Sequence, residues 1–245
     1  MEWYRDTDFW LTFSSVLFDN QRWVNAPLEA QRAAELLQMK PGDRLLDACC
    51  GVGRHSVEFA ARGLRVTGVD QMGLYLEAAE ETAEAEGVEV EFVKDDMLAF
   101  RREEWFDGAV NMFISVGYFD DPEDDIKVFR NIRDSLKPGG GFLVDTVGKE
   151  ILMEQFRSKE WYRTDGNFVI SRYRAEENYG RLWNRWILYD QAGRHEYTFS
   201  HRVFSADELT EALKKAGFSS VTVFGDLDGS PYGPQAQRLV AVGLR

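Results

Sequence analysis

LLDACCGVGRHS, residues 45 to 56, reads as an apolar strand ending in an acid, a tight turn holding Gly51 and Gly53, and the start of a helix. Glycine lets the backbone turn sharply and come close to a ligand, and the helix that follows offers N–H donors with no partner inside the helix. Such a turn serves nicotinamide and flavin sites as well as other nucleotide sites. Its surroundings narrow the choice. Asp70 closes the next apolar run, VTGVD, 19 residues beyond Gly51, where an acid can accept from both hydroxyls of a ribose. Asp47 stands four residues before Gly51, and Ser56 occupies the place of the third glycine of a dinucleotide loop. Both departures lead away from nicotinamide.

From Leu45 to Leu143 short apolar runs alternate with amphipathic helical stretches, the rhythm of βαβ crossovers and a mostly parallel sheet. LLDA (45–48), VTGVD (66–70), VEFVKD (90–95), GAVNMF (108–113) and GFLVDT (141–146) are the first five strands. Gly63, Gly87 and Pro138 stop the helices between them. Upstream, Asn25 reads as the cap of a lead-in helix with Pro27 in its first turn, running to about Met39. Before it, Trp3, Tyr4, Phe9, Trp10, Phe13, Phe18 and Trp23 make an aromatic-rich segment.

After a helix near Glu150 to Arg157 come three alternating stretches, NFVISRYR, RLWNRWILYD and HEYTFSHRVF, whose period of two predicts a half-buried antiparallel meander. Ser205 to Glu208 form a capping box, opening a helix that ends at Gly217, and FSSVTVFG with RLVAVGLR make a closing strand pair. The expected fold class is α/β: a Rossmann-like, mostly parallel seven-stranded sheet with helices on both faces and an inserted antiparallel meander. Residues 1–40 are an aromatic-rich helical lead-in or lid, 41–147 the cofactor-binding Rossmann-like core, 148–204 the helix and meander insertion, and 205–245 the closing helix and strand pair.

At 245 residues the chain can bury one large core without a disulfide or structural metal. Its only cysteines, Cys49 and Cys50, are sequence neighbours that cannot bridge without severe strain, and they read as small packing residues. No apolar run approaches the ~20 residues that span a bilayer, and MEWYRDTDFW opens with mixed charge instead of a basic and then apolar leader. The chain is expected to be cytoplasmic and off the membrane. A net charge of −13, from 29 Lys and Arg against 42 Asp and Glu, repels a polyphosphate backbone and argues against nucleic acid as substrate. The acidic run Asp120, Asp121, Glu123, Asp124 and Asp125 reads as a helix start that complements the dipole, in preference to a cation site. His55, His195 and His201 lack metal-ligand spacing, so no metal is expected.

The acid, three residues and Gly-x-Gly of Asp47 to Gly53 resemble the first motif of the class I S-adenosylmethionine-dependent methyltransferase superfamily, small-molecule type. Four more segments fall in that superfamily's order: VTGVDQM (66–72), VKDDMLAF (93–100), FDGAVNMFISVGYF (106–119) and LKPGGGFLVD (136–145). The resemblance runs from Leu45 to Leu143 and resumes in the closing strands. It implies S-adenosylmethionine as cofactor and S-adenosylhomocysteine as product. On the matching positions, it implies that Gly51, Gly53 and the backbone near Cys49 lie against the methionine part, with Asp47 at the head of the same turn. Asp70 takes the ribose hydroxyls, Gln71 and Met72 pack beside the adenosine, Asp96 accepts from the adenine amino group, and the Met97 N–H meets the ring. Asn111 and Met112 face the methionine. Cys49 is a departure, since many members have glycine there.

A sulfonium methyl is already activated, so a protein that uses it has mainly to align a lone pair behind the S–CH3 bond and exclude water. The resemblance therefore implies methyl transfer to a nitrogen or oxygen of a small-molecule acceptor, with no nucleophile on the protein. Asn111-Met112-Phe113 also differs from the Asn/Asp-Pro-Pro-Tyr/Phe segment of many nucleic-acid amino methyltransferases. Two rivals stand beside this reading. A nicotinamide-dependent oxidoreductase shares the turn and Asp70 but leaves Asp96 and LKPGG unexplained; a non-catalytic S-adenosylmethionine-binding module shares every motif.

The acceptor pocket of an open α/β sheet lies beyond the carboxyl ends of its strands, where Ser115 and Tyr118 follow the fourth strand. Tyr118 and His201 are the catalytic candidates: Tyr118 as a ring wall and hydroxyl, His201, with an ordinary pKa of about 6.5, as a general base carried in by the meander. The plainer reading of His201 is a strand residue hydrogen-bonded within the meander. That meander is apolar on both faces, with Phe168 and Ile170 on one and Val169 and Tyr173 on the other. It is expected to cover the active-site mouth or to join two subunits as a homodimer, and its architecture resembles that of sugar-amine N-methyltransferases.

Overall fold

In the computed structural model, which describes residues 2–245, the aromatic N-terminus folds into α1 (Thr7–Thr12), α2 (Ser14–Leu17) and the long α3 (Asn20–Leu36). The core then runs β1 (Arg44–Ala48), α4 (Arg54–Ala61), β2 (Arg65–Asp70), α5 (Gly73–Glu86), β3 (Val90–Lys94), β4 (Phe106–Asn111), α6 (Pro122–Ser135) and β5 (Leu136–Thr146). An insertion follows, with α7 (Lys149–Gln155), β6 (Lys159–Thr164), β7 (Asn167–Ala175), β8 (Arg181–Asp190) and β9 (Gly193–Arg202). The chain closes with α8 (Ala206–Ala216), β10 (Ser220–Phe224) and β11 (Leu239–Leu244).

Seven strands form one sheet in the order β10-β11-β5-β4-β1-β2-β3, parallel except for β11, which is antiparallel to both β5 and β10. Successive residues of a strand face opposite sides, and both sides here are apolar. Leu46, Ala109 and Phe142 pack with Phe129 of α6 and Leu213 of α8. Leu45, Val110 and Leu143 pack on the other side with Ala33 of α3 and Phe59 of α4. Each fully buried Leu or Phe contributes on the order of 1.5–3 kcal/mol, so the central strands hold the two helical layers in place. Because the chain steps from β1 outward to β3 and then returns to β4 on β1's other flank, a crevice opens at the carboxyl ends of β1 and β4.

Helix starts follow the local chemistry. Asp121 caps α6 by accepting from the Glu123 N–H (2.9 Å), Pro122 occupies the first turn, and the acidic run is that helix start. Ser205 and Glu208 form the reciprocal capping box of α8. Two expectations need correction. Asn25 does not cap the lead-in helix; α3 begins at Asn20 with Asp19 accepting from the Arg22 N–H (2.9 Å), and Pro27 lies inside it. Proline removes one N–H from a helix interior, and the turn before it is braced from outside, where Arg54 Nη1 donates to the Arg22 carbonyl (2.9 Å).

The meander has four strands, not three. Order β6-β7-β8-β9 makes a second, antiparallel sheet. Its inner face, with Val169, Leu188 and Phe199, packs on Phe9, Phe13 and Val16 of the N-terminal helices, so lid and meander share one apolar cluster. The outer face carries Trp161, Phe168 and Tyr189 in a row, with Trp161 65% and Tyr189 40% exposed.

Candidate active site

The turn after β1 is shaped by the carboxylate that ends β2. Asp70 Oδ2 accepts from the Gly51 N–H (2.9 Å) and Oδ1 from the Met72 N–H (2.9 Å). Gly51 and Gly53 hold φ of 55° and 71°, in the left-handed region that glycine enters without strain. A Cβ on Gly51 would meet the Phe18 ring at 3.0 Å, and one on Gly53 would fall 2.7 Å from the Ala79 side chain. Cys49 takes φ 64° as well, an unusual backbone for a residue with a side chain. Burial raises the pKa of Asp70, opposed by the backbone N–H groups it accepts from. Asp47 is buried too, and burial pushes it up to about 6 against a 2.5 Å bond from the Ser56 hydroxyl.

Asp47, Cys49, Gly51, Asp70, Gln71 and Met72 line a cavity at the carboxyl ends of β1 and β2, and Asp96, Met97, Met112 and Tyr118 close it from β3 and β4. Gly53 and Asn111 stand behind it. Gly53 packs on α5 and precedes α4; Asn111 is fully buried at the end of β4, its Nδ2 donating to the Ala48 carbonyl (3.0 Å) and its Oδ1 without a partner among the described residues. Several polar side chains in this cavity meet the N-terminal segment, among them Asp96 and Gln71. Asp96 pairs with Arg5 at 2.8 Å, and Gln71 Nε2 donates to the Tyr4 carbonyl.

His201 lies elsewhere, in a second cavity of about 400 Å³ under the inner face of the second sheet. The two cavities share Trp10, Leu17, Phe113 and Tyr118 as walls. Tyr118 is thus at the junction, its phenol pushed up by burial and protonated at neutral pH. His201 is 7% exposed. Asn184 Nδ2 donates to the Leu182 carbonyl (3.2 Å), so it is the amide nitrogen that faces His201 Nδ1 at 3.3 Å. Nδ1 therefore accepts and the ring proton sits on Nε2. Burial holds the imidazole neutral down to about 4. The residue lines the cavity and is hydrogen-bonded within the meander to Asn184.

Several residues of the site carry no sequence signal that the motifs could have caught. Phe113 and Ile114 sit at φ 69° and 63°, strained for side chains of this size. Asp145 holds them, accepting from the Phe113 N–H at its carboxylate (3.3 Å) and from the Ile114 N–H at its carbonyl (3.1 Å). The guanidiniums of Arg22 and Arg54 lie over the Phe113 ring at 4.4 and 4.6 Å. Arg22, Arg54 and Asp145 come from three distant stretches, and only tertiary structure assembles them.

Residues 45–140 match the family described as Methyltransferase domain. The chain is 28% identical over 189 residues to a glycine/sarcosine N-methyltransferase of Aphanothece halophytica, covering 75% of this chain and 69% of that protein. Among solved structures, an S-adenosylmethionine-dependent methyltransferase from Clostridium acetobutylicum ATCC 824 superposes with a TM-score of 0.77 over 96% of this chain and 97% of that one, at 16% identity. CalS10, an amino pentose methyltransferase from Micromonospora echinaspora, superposes with a TM-score of 0.66 over 91% of each chain, at 24% identity. Residues 45–140 thus carry a methyltransferase domain, and the fold around it is similar to that of these methyltransferase structures, consistent with the class I S-adenosylmethionine-dependent methyltransferase superfamily.

Proposed function

We propose that the first cavity binds S-adenosylmethionine and that its methyl passes to a nitrogen or oxygen of a small molecule held in the second. The observation that carries this reading is that the two cavities adjoin, sharing Trp10, Leu17, Phe113 and Tyr118 as walls. The residues present fit the cofactor. Asp70 is a half-buried carboxylate bonded to backbone N–H groups, with no cationic partner among the described residues, which leaves it free to accept ribose hydroxyls. The side-chain-free Gly51 keeps the turn open to a ligand, and an adenine amino group at Asp96 shares that carboxylate with Arg5 or displaces it.

The bound cofactor supplies a methyl on a positively charged sulfur, already activated toward attack. The chain's part is alignment and exclusion of water. Trp3, Phe9 and Trp10 of the lid and Trp186 and Phe199 of the second sheet surround the acceptor space with aromatic surface. Tyr118 supplies the wall between the two ligands, and a neutral His201 and a protonated Tyr118 leave the acceptor to arrive with its lone pair free. The limited size of the second cavity, about 400 Å³, and the net charge of −13 support a small molecule over nucleic acid.

Isothermal calorimetry tests the cofactor half: S-adenosylhomocysteine is expected to bind in the micromolar range. Binding of a nicotinamide cofactor with none of S-adenosylhomocysteine overturns it. Mass spectrometry of small-molecule pools incubated with S-adenosylmethionine tests the transfer half, with a gain of one methyl as the positive result.

A further inference from the structure

Two hydrogen-bond donors on the inner face of the second sheet have nothing to donate to. Among the described residues the indole Nε1 of Trp186 and the imidazole Nε2 of His201 are buried without partners, and both side chains line the second cavity. Trp3, Trp10 and Trp183 differ, donating to the Ser200 carbonyl (2.9 Å), the Tyr4 carbonyl (2.8 Å) and the Glu176 carboxylate (2.6 Å). Buried donors are nearly always satisfied in folded proteins, and unpaired ones are destabilising. An acceptor atom on a ligand removes that penalty.

The two donors belong to one wall. Trp186 lies two residues along β8 from Asn184, and His201 lies opposite Leu182 on β9. The contact with Asn184 puts the His201 proton on Nε2, so the wall carries two buried, unpartnered N–H groups and no free imidazole lone pair. Charge around the cavity has the same sense. Among the described residues Arg22 and Arg157 line it, with Glu160 as the only acid, and Glu160 Oε1 accepts from the Tyr173 hydroxyl. Asp19 pairs with Arg22 at 3.4 Å from outside the cavity lining. The remaining surface, including Phe9, Trp10 and Phe199, is aromatic.

We propose that the second cavity takes a molecule with a carboxylate beside an apolar body, the carboxylate being received by the N–H groups of Trp186 and His201. Only the naming of this molecule as the methyl acceptor rests on the function proposed above. Hydrogen bonds from N–H to an ionised oxygen are stronger than those to a neutral one, so the pocket selects an anion over an amide or an amine of the same shape.

The probes are phenylacetate, phenylacetamide and phenethylamine, titrated calorimetrically into the full chain with and without S-adenosylhomocysteine. The indole 15N–1H resonance of Trp186, assigned by through-bond and through-space connectivities in the unaltered protein, reads the hydrogen bond directly. Phenylacetate is expected to bind at least tenfold more tightly than the amide or the amine, and to move the Trp186 indole proton downfield. Trp186→Phe and His201→Phe each weaken it at least tenfold, His201→Gln, which keeps an N–H, recovers most of the loss, and affinity for S-adenosylhomocysteine stays within twofold in all three. Tighter or equal binding of the amide or amine, binding of none of the probes, or unchanged phenylacetate affinity in both phenylalanine variants overturns the proposal. Should those variants fail to fold, the indole shift in the unaltered protein decides: downfield movement with phenylacetate supports the proposal and its absence overturns it. Failure of S-adenosylhomocysteine to bind overturns the cofactor reading alone and leaves the phenylacetate result standing.

Discussion

Asp70 does two things with one carboxylate, ordering the glycine turn through the Gly51 and Met72 N–H groups and presenting its remaining lone pairs to the first cavity. Asp70→Ala is therefore expected to weaken S-adenosylhomocysteine binding by about 1.5–3 kcal/mol, tenfold or more, measured by calorimetry, with circular dichroism confirming the fold. His201 makes a pH prediction. Its imidazole is held near 4 in the folded chain by burial and by the positive charge of Arg181, against about 6.5 unfolded. Between those values the unfolded chain binds a proton that the folded chain does not, so this residue's contribution to stability falls as pH drops from 6.5 toward 4, by up to about 1.4 kcal/mol per pH unit. His55, lowered to about 4 chiefly by burial, has the same sign; Asp47 and Asp125, raised to about 6 by burial, have the opposite one. The difference between proteins isolates the residue: urea denaturation at pH 7 and pH 5 should show a smaller acid loss for His201→Gln than for the unaltered chain.

The loop between β4 and α6 is tied to the second sheet through glycine. Gly117 has φ 83°, its carbonyl accepts from the Arg202 N–H (2.7 Å), and a Cβ there would lie 2.3 Å from the Arg202 carbonyl oxygen. Gly117→Ala is expected to lower the melting temperature by several degrees and to displace Tyr118, seen as lost methyl transfer out of proportion to any change in S-adenosylhomocysteine affinity. Ser205→Ala removes one half of the α8 capping box and should cost about 1 kcal/mol in denaturant unfolding while leaving cofactor binding unchanged. These elements also show which signals were local. The box of α8 and the acidic start of α6 are spelled in consecutive residues. Strand β6, KEWYRT, is mostly exposed, and its largest apolar residue, Trp161, faces outward. Its pairing with β7 makes it a strand, and no alternation of its own announces it. Asn25-Ala-Pro27 carried a helix-start signal that the preceding turn of α3 overrode.

Across the whole molecule, one buried acid links the elements behind the site. Glu29 of α3 accepts from Arg54 (3.2 Å) and His55 (2.8 Å) of α4 and from Arg238 before β11, and Arg238 in turn donates to Asp145 (2.7 Å) at the end of β5. Burial works against the Glu29 charge, but the bond from His55 and the Arg238 guanidinium outweigh it and hold the carboxyl at about 2. Glu29→Ala leaves Arg54 and Arg238 short of their counter-charge and should destabilise by roughly 3–5 kcal/mol, read by thermal unfolding; Glu29→Gln, which keeps an acceptor oxygen, should cost less. The second sheet divides the expectation made for it by face. Its inner face lies over the second cavity, whereas a homodimer through the outer row of Trp161, Phe168 and Tyr189 is a separate matter. Sedimentation velocity addresses it: a dimer that Trp161→Glu dissociates supports that role, and a monomer at high micromolar concentration removes it.

The alternation of apolar runs and helix-forming stretches determined the parallel core, because βαβ units are local in sequence and their strands, apolar on both faces, bury wherever they are placed. The acid, Gly51 and Gly53 of the first turn and Asp70 of the second strand were legible for the same reason: each stands at the carboxyl end of its own strand, where an open sheet keeps its crevice. Tertiary structure alone decided the second cavity. Its walls come from the N-terminal helices, the Phe113 turn and the inner face of the second sheet, segments far apart in the chain whose side chains carry no shared spacing. It also decided the surroundings of His201, which are set by burial and by one neighbouring amide, Asn184, brought opposite it by the register of β8 against β9.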